Sequence, residues 1–144
     1  MNRKIQSHLG TLKQNGVHLK EHEYATIKVF LESGCNIELI PPSNIKGLHL
    51  PDIYINGVPW EIKAPEGSGR KTIKHNIQQA LHQSPNIILD LRRCKLDPEL
   101  AVKESEREFF LSKRASRMKL ILFDRNSRND TRTADGHIIL DYKK

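Results

Sequence analysis

Cysteine and long apolar segments are both scarce in this sequence. The 144 residues include only Cys35 and Cys94, whose spacing fits neither a metal site nor a disulfide framework. Such a chain is expected to work in a reduced compartment. No apolar run approaches the roughly 20 residues that a membrane-spanning helix needs. The polar start of the chain also lacks the apolar stretch of a signal peptide. If the protein is exported, we therefore expect a segment outside this sequence to direct that export.

Internal repeats, linkers and nucleotide-binding fingerprints are missing as well. The seven histidines have no ligand spacing, and Gly67 and Gly69 do not fit the P-loop pattern. A chain of this length is the size of one domain. The first 19 residues are polar and are interrupted by two glycines, which predicts an N-terminal arm over 1–19 and a single domain over 20–144.

Positive charge is in moderate excess. There are 24 Lys and Arg residues against 17 Asp and Glu residues, which gives a formal net charge of +7 and a pI near 9.5. This balance favours a partner that carries many negative charges, and a nucleic-acid backbone is the commonest such partner.

Apolar periodicity and turn residues predict the order helix, three strands, helix, strand, helix, two strands. The predicted helices cover 20–33, 72–83 and 98–115; the predicted strands cover 37–40, the hairpin at 50–63, 86–91, 118–123 and 137–142. This order indicates an α/β or α+β domain with helices packed against a mixed central sheet.

The most informative segment is Asp-Ile-Tyr-Ile-Asn-Gly-Val-Pro-Trp-Glu-Ile-Lys, residues 52–63. Asn-Gly between alternating residues predicts a two-residue type I′ turn, which places Asp52 opposite Glu61. Side chains alternate between the two faces of a strand. One face is then apolar, with Ile53, Ile55, Val58, Trp60 and Ile62, and the other carries Asp52, Tyr54, Glu61 and Lys63.

Two opposed carboxylates repel each other, and a divalent metal ion would offset that repulsion. Carboxylates of Asp52 and Glu61, with the main-chain carbonyl of Ile62, are the oxygen ligands that Mg²⁺ or Mn²⁺ prefers, although Zn²⁺ stays possible. Lys63 on the same face is suited to orienting or deprotonating an attacking water, or to stabilising charge on a phosphate. Tyr54 shares this face and is a candidate for substrate contact. The segment therefore predicts phosphodiester cleavage.

A second set of candidates lies on the helices and on the loop before the second helix. Glu23 lies at the N-terminal end of the apolar stripe of the first helix and is the candidate for an additional catalytic carboxylate, with Glu21 as the alternative. The glycine-rich basic loop leads into a helix N-terminus, where main-chain N–H groups bind anions. The substrate-binding candidates there and on the helix are Ser68, Arg70, Lys71, Lys74, Asn76, Gln79 and Gln83.

The Pro-Asp…Glu-Ile-Lys pattern, with a glutamate on a preceding helix, resembles the PD-(D/E)xK nuclease superfamily over residues 20–92. The longer run Pro-Asp-Ile-Tyr-Ile-Asn-Gly-Val-Pro-Trp-Glu-Ile-Lys-Ala-Pro, followed by Ser-Pro-Asn-Ile-Ile-Leu-Asp-Leu-Arg-Arg, resembles the C-terminal tRNase domains of contact-dependent growth inhibition toxins and related polymorphic toxins. The resemblance implies an αβββαβ restriction-endonuclease-like core and divalent-metal-dependent cleavage of tRNA. It further implies export within a larger protein, action in the target-cell cytoplasm and a cognate immunity protein. It carries over Glu23, Asp52, Glu61 and Lys63 as the catalytic set.

Two other readings stay open at this point. The same superfamily includes DNA endonucleases, because fold alone does not choose the substrate. A non-catalytic basic nucleic-acid-binding module would explain the charge, although it would have no need of two opposed carboxylates.

Overall fold

The computed structural model describes residues 9–124 and 136–144, and the architecture of this part is α+β, as predicted. The described helices are α1 (Glu21–Glu32), α2 (Lys71–Leu81) and α3 (Pro98–Leu111), with a 3₁₀ turn at Leu91–Arg93. The described strands are β1 (Leu12–Lys13), β2 (Ile37–Leu39), β3 (Ile53–Ile55), β4 (Val58–Lys63), β5 (Asn86–Asp90), β6 (Arg117–Phe123) and β7 (His137–Lys143).

Each predicted helix and strand is present, with ends that differ by a few residues. The largest difference is in α3, which ends at Leu111 instead of 115. Ser112 has extended backbone angles, and its Oγ accepts hydrogen bonds from the N–H groups of Arg114 and Ala115. Serine side chains of this kind compete with helical hydrogen bonding, so the helix stops there. Most of the polar loop predicted between the last two strands, residues 125–135, lies outside the described residues.

The chain divides into two compact units between Trp60 and Glu61. In the first unit β1 runs parallel to β2, and β2, β3 and the start of β4 pair antiparallel. Alternation along the strands and the apolar stripe of α1 supply its core. The buried core residues of this unit are Ile27, Val29, Phe30, Ile37, Leu39, Ile53, Ile55 and Trp60.

Strand β1 lies within the segment predicted as an arm. The main-chain N–H of Gly10 donates to the carbonyl of Leu31 at 2.8 Å, and the Thr11 carbonyl accepts from the N–H of Ile37 at 2.8 Å. A Cβ atom at position 10 would lie 1.6 Å from the carbonyl oxygen of Cys35. Gly10 therefore permits a close backbone approach that any side chain would block, whereas its sequence context indicated only an irregular segment.

In the second unit the end of β4, β5 and β6 run parallel, and β7 pairs antiparallel with β6. The apolar run in β5 is buried, as its lack of alternation predicts. Helices α2 and α3 contribute apolar residues to the same core as the strands. This core includes Ile73, Ile77, Ala80, Ile87, Leu89, Ala101, Phe109, Met118 and Leu120.

Helix α3 is attached to β7 by aromatic packing and one hydrogen bond. The Phe109 ring is fully buried and lies 6.1 Å, centroid to centroid, from the ring of Tyr142. The Tyr142 hydroxyl donates to Glu106 Oε2 at 2.8 Å. Burial, followed by this bond to a carboxylate, raises the pKa of Tyr142 above its ordinary value. These contacts hold α3 in a defined position on the second unit.

Trp60→Ala should destabilise the protein by roughly 3–5 kcal/mol, because the indole is buried opposite Ile53 in the first unit. Urea unfolding followed by far-UV circular dichroism measures this loss, which tryptophan fluorescence cannot do because Trp60 is the only tryptophan. Tyr54→Ala on the neighbouring strand is the control, since Tyr54 is 38% exposed. Equal losses in the two variants would contradict the assigned core.

Candidate active site

The hairpin that carries the predicted carboxylates forms in the predicted register. Ile53 pairs with Trp60 and Ile55 with Val58. Asn56 and Gly57 have φ values of +48° and +84°, as a type I′ turn requires at both of its central residues. Asp52 lies at the start of the hairpin with an exposed side chain, and its main-chain N–H donates to the carbonyl of Trp60 at 3.1 Å.

The predicted helix carboxylate lies in the first turn of α1. Glu23 is exposed, and its Oε1 accepts the main-chain N–H of Lys20 at 2.8 Å. This contact is the half of a capping box in which the third helical residue reaches back to the N-cap. Glu21, the alternative candidate, is exposed at the first position of the helix. The side chain of Glu23 therefore has a local role at the helix end.

Glu61 is a buried carboxylate at the start of the second unit. It is 2% exposed and pairs in register with Ile87, while Lys63 pairs with Leu89. Alternation places the side chains of Glu61 and Lys63 on the same face of β4. The Lys63 ammonium lies 3.5 Å from Glu61 Oε2, so the two residues form an ion pair at the end of β4.

Gln83 supplies a further contact to this carboxylate from the end of α2. The Gln83 side-chain amide can form hydrogen bonds with its neighbours when its nitrogen, rather than its oxygen, faces the acceptor atoms. In that orientation Nε2 donates to Glu61 Oε2 at 2.9 Å and to the carbonyl of Gln79 at 3.1 Å. The position of Gln83 on the polar side of α2 predicts contact with substrate, whereas the fold brings its amide to Glu61. A polar line along a helix does not reveal which strand residue that line will contact.

A second buried carboxylate, Asp90, belongs to a different arrangement. Its oxygens accept from Arg92 Nε at 2.9 Å and from Arg92 Nη2 at 2.7 Å, as a bidentate ion pair. Asp90 follows Leu89, the partner of Lys63, so alternation directs its side chain to the opposite face of the sheet. The pair was not among the predicted site residues, and its only signal in the sequence is that an acid stands two residues before an arginine at the end of a strand. The pair fixes the 3₁₀ turn that follows β5.

The glycine-rich loop is attached to this 3₁₀ turn. The Gly67 carbonyl accepts from the N–H of Lys95 at 3.2 Å and from Cys94 Sγ at 3.4 Å. Glu66 Oε1 lies 2.6 Å from Arg93 Nη2. The loop and the N-terminus of α2 present exposed side chains, among them Ser68, Arg70, Lys71 and Lys74. These contacts hold the predicted phosphate-binding loop in place. The loop presents cationic side chains at the N-terminus of α2.

The remaining predicted substrate residues lie on α2 and β3. Asn76 is half-buried, and its Nδ2 donates to the carbonyl of Thr72 one turn earlier at 2.8 Å. Gln79 and Tyr54 are exposed. Gln79 and Tyr54 therefore have side chains open to a ligand, whereas the amide of Asn76 already makes a hydrogen bond within its own helix.

The candidate metal ligands in this protein are oxygen atoms. Within residues 9–124 and 136–144, no three His, Cys, Asp or Glu side chains cluster closely enough to form a complete metal site. The carboxylate of Glu61 is a hard oxygen donor. Mg²⁺ and Mn²⁺ take only one or two such carboxylates from a protein and keep several water ligands.

Comparison with known protein families finds a match over more than half of the chain. The family described as "Contact-dependent growth inhibition CdiA C-terminal domain" matches residues 49–128, which include the hairpin, α2, β5, α3 and β6. The chain belongs to this family. The resemblance to contact-dependent growth inhibition toxins is thereby confirmed, and its nuclease superfamily and tRNase specificity stay predictions.

The fold of this CdiA C-terminal domain is similar to one in a solved structure, the "CdiA-CT/CdiI toxin and immunity complex from Burkholderia pseudomallei". The TM-score is 0.57 at 18% sequence identity, and the match covers 94% of this chain and 100% of that one. No curated protein sequence matched the chain. No described helix of this CdiA C-terminal domain has the length and apolar character of a membrane span.

Gln83→Leu should destabilise the CdiA C-terminal domain by roughly 1–3 kcal/mol, because it removes a hydrogen-bond donor from a buried carboxylate. Gln79→Leu is the matched control: its exposed side chain should change stability by no more than about 0.5 kcal/mol. Urea unfolding of both variants measures the difference. If the two losses are equal, the assigned Gln83–Glu61 hydrogen bond is wrong.

Proposed function

We propose that this domain is a metal-dependent ribonuclease that cleaves tRNA as the toxin of a contact-dependent growth inhibition system. The observation that carries the proposal is the buried Glu61, which lies 3.5 Å from the Lys63 ammonium and receives the Gln83 amide. Burying a carboxylate is costly, and an apolar residue at this place in a sheet would cost less. A buried carboxylate beside a specific charged partner is a feature that catalytic sites often have.

Asp52, Glu61 and the main-chain carbonyl of Ile62 are the proposed metal ligands. The register observed for Ile53 with Trp60 is the one from which the sequence predicts Asp52 opposite Glu61. Both side chains offer the hard oxygen donors that Mg²⁺ and Mn²⁺ prefer. A divalent ion held by these residues would supply Lewis acidity to a water and to the phosphate.

Lys63 is proposed to act on the water and on the phosphate. Its ammonium is partly exposed, so it can reach a substrate while Glu61 limits its movement. It would hold the attacking water, or stabilise the charge that develops on the phosphate oxygens. The water oxygen forms the new bond to phosphorus as the bond from phosphorus to the leaving ribose oxygen breaks, the water gives up a proton to solvent, and the leaving oxygen takes up a proton from solvent. Glu23 stays a candidate for a further carboxylate near the reacting water.

The held basic loop supports a nucleic-acid substrate. Arg70, Lys71 and Lys74 are exposed near the N-terminus of α2, where main-chain N–H groups also favour anions. The first turn of α2 contains no acidic residue that would repel a phosphate. We assign tRNA as the substrate on the sequence resemblance, and the loop as the segment that contacts its backbone, together with Tyr54 and Gln79.

Partner and delivery follow from the family and from the Burkholderia complex. The family name describes the C-terminal domain of CdiA, so we infer that this domain is exported as part of a larger protein and acts in the target-cell cytoplasm. The similar structure is a complex of toxin and immunity protein. We infer that a cognate immunity protein also neutralises this domain.

Cleavage of total tRNA should require both a divalent metal ion and the proposed residues. Asp52→Asn, Glu61→Gln and Lys63→Ala should each lower the cleavage rate by about 10²–10⁴-fold, the usual contribution of such catalytic groups. The assay compares total tRNA with plasmid DNA, each with Mg²⁺ and with EDTA.

Glu99→Gln is the control for the loss of one acidic charge, because Glu99 is exposed at the start of α3. This variant should cleave like the wild type. Cut plasmid with intact tRNA would assign the protein to the DNA endonucleases. If neither substrate is cut while both are bound in a salt-dependent way, the protein is a binding module and the proposal fails.

Metal binding can be measured without activity. A ligand that binds only the folded state at 100 times its Kd stabilises that state by about 2.7 kcal/mol. Mg²⁺ or Mn²⁺ should therefore raise the Tm of the wild type and of Glu99→Gln, and should raise the Tm of Glu61→Gln much less. An equal rise in all three proteins would place the metal elsewhere.

A further inference from the structure

A groove between α2 and α3 lies outside the proposed catalytic residues. Its volume is about 540 Å³, and it is lined by the last turn of α2 and by the end of α3 with the three residues that follow. Leu81 and His82 form one wall, and Leu111 and Lys113 form the other. Ile77 at the floor of the groove belongs to the core of the second unit, and Leu81 packs against that core. None of the lining residues takes part in the ion pair described above for Glu61.

The α3 wall exposes a large apolar side chain. Leu111 is 68% exposed, and it lies across the groove from the half-buried Leu81. Apolar side chains that remain open on both walls of a groove are typical of a surface covered by a protein partner. An apolar side chain of a partner would contact Leu81 and Leu111 together.

The charge at the groove is predominantly positive. Lys113 and Arg114 are both exposed, and neither forms an ion pair within the parts of the chain that the structure describes. Glu108 is the one acidic residue of the lining. The complementary surface is therefore acidic with an apolar centre.

Helix α3 itself favours a protein over a nucleic acid as the occupant. The helix carries four glutamates against Lys103 and Arg107, so most of its charge would repel a phosphate backbone. Aliphatic Leu111 also offers neither a hydrogen bond to a base nor a ring on which a base can stack.

We propose that this groove is the docking site of the immunity protein, which inserts an apolar side chain between α2 and α3 and places carboxylates against Lys113 and Arg114. This inference rests on the proposed toxin function. Gln83, which contacts Glu61, follows His82 at the end of α2, so the docked partner touches the segment that holds the catalytic carboxylate. The immunity protein thus binds without needing Glu61 or Lys63.

The test begins with induced expression of this chain in bacteria. A genomic library of the bacterium that carries the gene is selected for a clone that restores growth, and the protein from that clone is the probe. Affinity of the purified probe for each toxin variant is then measured by calorimetry. If expression of the chain does not arrest growth, the proposed function fails and the docking proposal fails with it.

The deciding variants are Leu111→Ser and the pair Lys113→Glu with Arg114→Glu. Each should weaken probe binding by roughly 30-fold or more, the size of an interface hot spot, and should leave growth arrest intact. Growth arrest also reports that the variants fold. Lys103→Glu with Arg107→Glu is the matched charge reversal, because both residues are exposed on α3 and neither lines the groove. This control should keep full affinity.

Glu61→Gln gives the remaining comparison, because it should bind the probe as tightly as the wild type. Full protection of cells that express the groove variants would overturn the proposal. Loss of probe binding in Glu61→Gln would place the immunity protein on the catalytic residues instead. If the groove variants raise KM for tRNA and keep probe affinity, the groove belongs to the substrate.

Discussion

The buried carboxylate of Glu61 is the constraint on which the second unit depends. A charged group at 2% exposure is tolerated only where other groups compensate for the lost water. Lys63 does so from two residues along the same strand, and Gln83 does so from the end of α2. Their positions require the parallel pairing of β4 with β5 and the packing of α2, since Ile77 and Ala80 are buried in the same core as Ile87. The site and the core of this unit therefore form together.

The segment after β5 contains further paired charges, which hold the loop before α2. Asp90 and Arg92 satisfy each other through two hydrogen bonds on the face of the sheet opposite to Glu61. The 3₁₀ turn that they fix holds the glycine-rich loop through Gly67 and Glu66. A held loop loses less conformational freedom when it binds a ligand than a loose one does. Exposed cations on this loop, with few fixed acids near them, are what a nucleic-acid substrate would require.

Helix α2 connects the proposed catalytic site with the proposed docking groove, because different parts of the helix contact the core, Glu61 and the groove. One side is apolar and fills the core through Ile73 and Ile77. The end of the helix supplies Gln83 to Glu61, while Leu81 and His82 line the groove against α3. A toxin needs both a catalytic site that recognises a common substrate and a surface that recognises one specific partner. Separating these surfaces would allow the partner surface to change without loss of catalysis.

Local patterns in the sequence determined the three helices, the central hairpin and the described strands other than β1. Asn56 and Gly57 alone predict the turn, because its positive φ angles suit these two residues, and the turn then sets the register of Ile53 with Trp60. The tertiary structure alone decided which distant groups meet. Gln83 reaches Glu61, Asp90 faces away from it, and Gly10 closes on Cys35, although no periodicity relates these positions. Alternation and helical stripes report how a residue is oriented within its own element, whereas the contacts of a side chain depend on how elements pack across long stretches of chain.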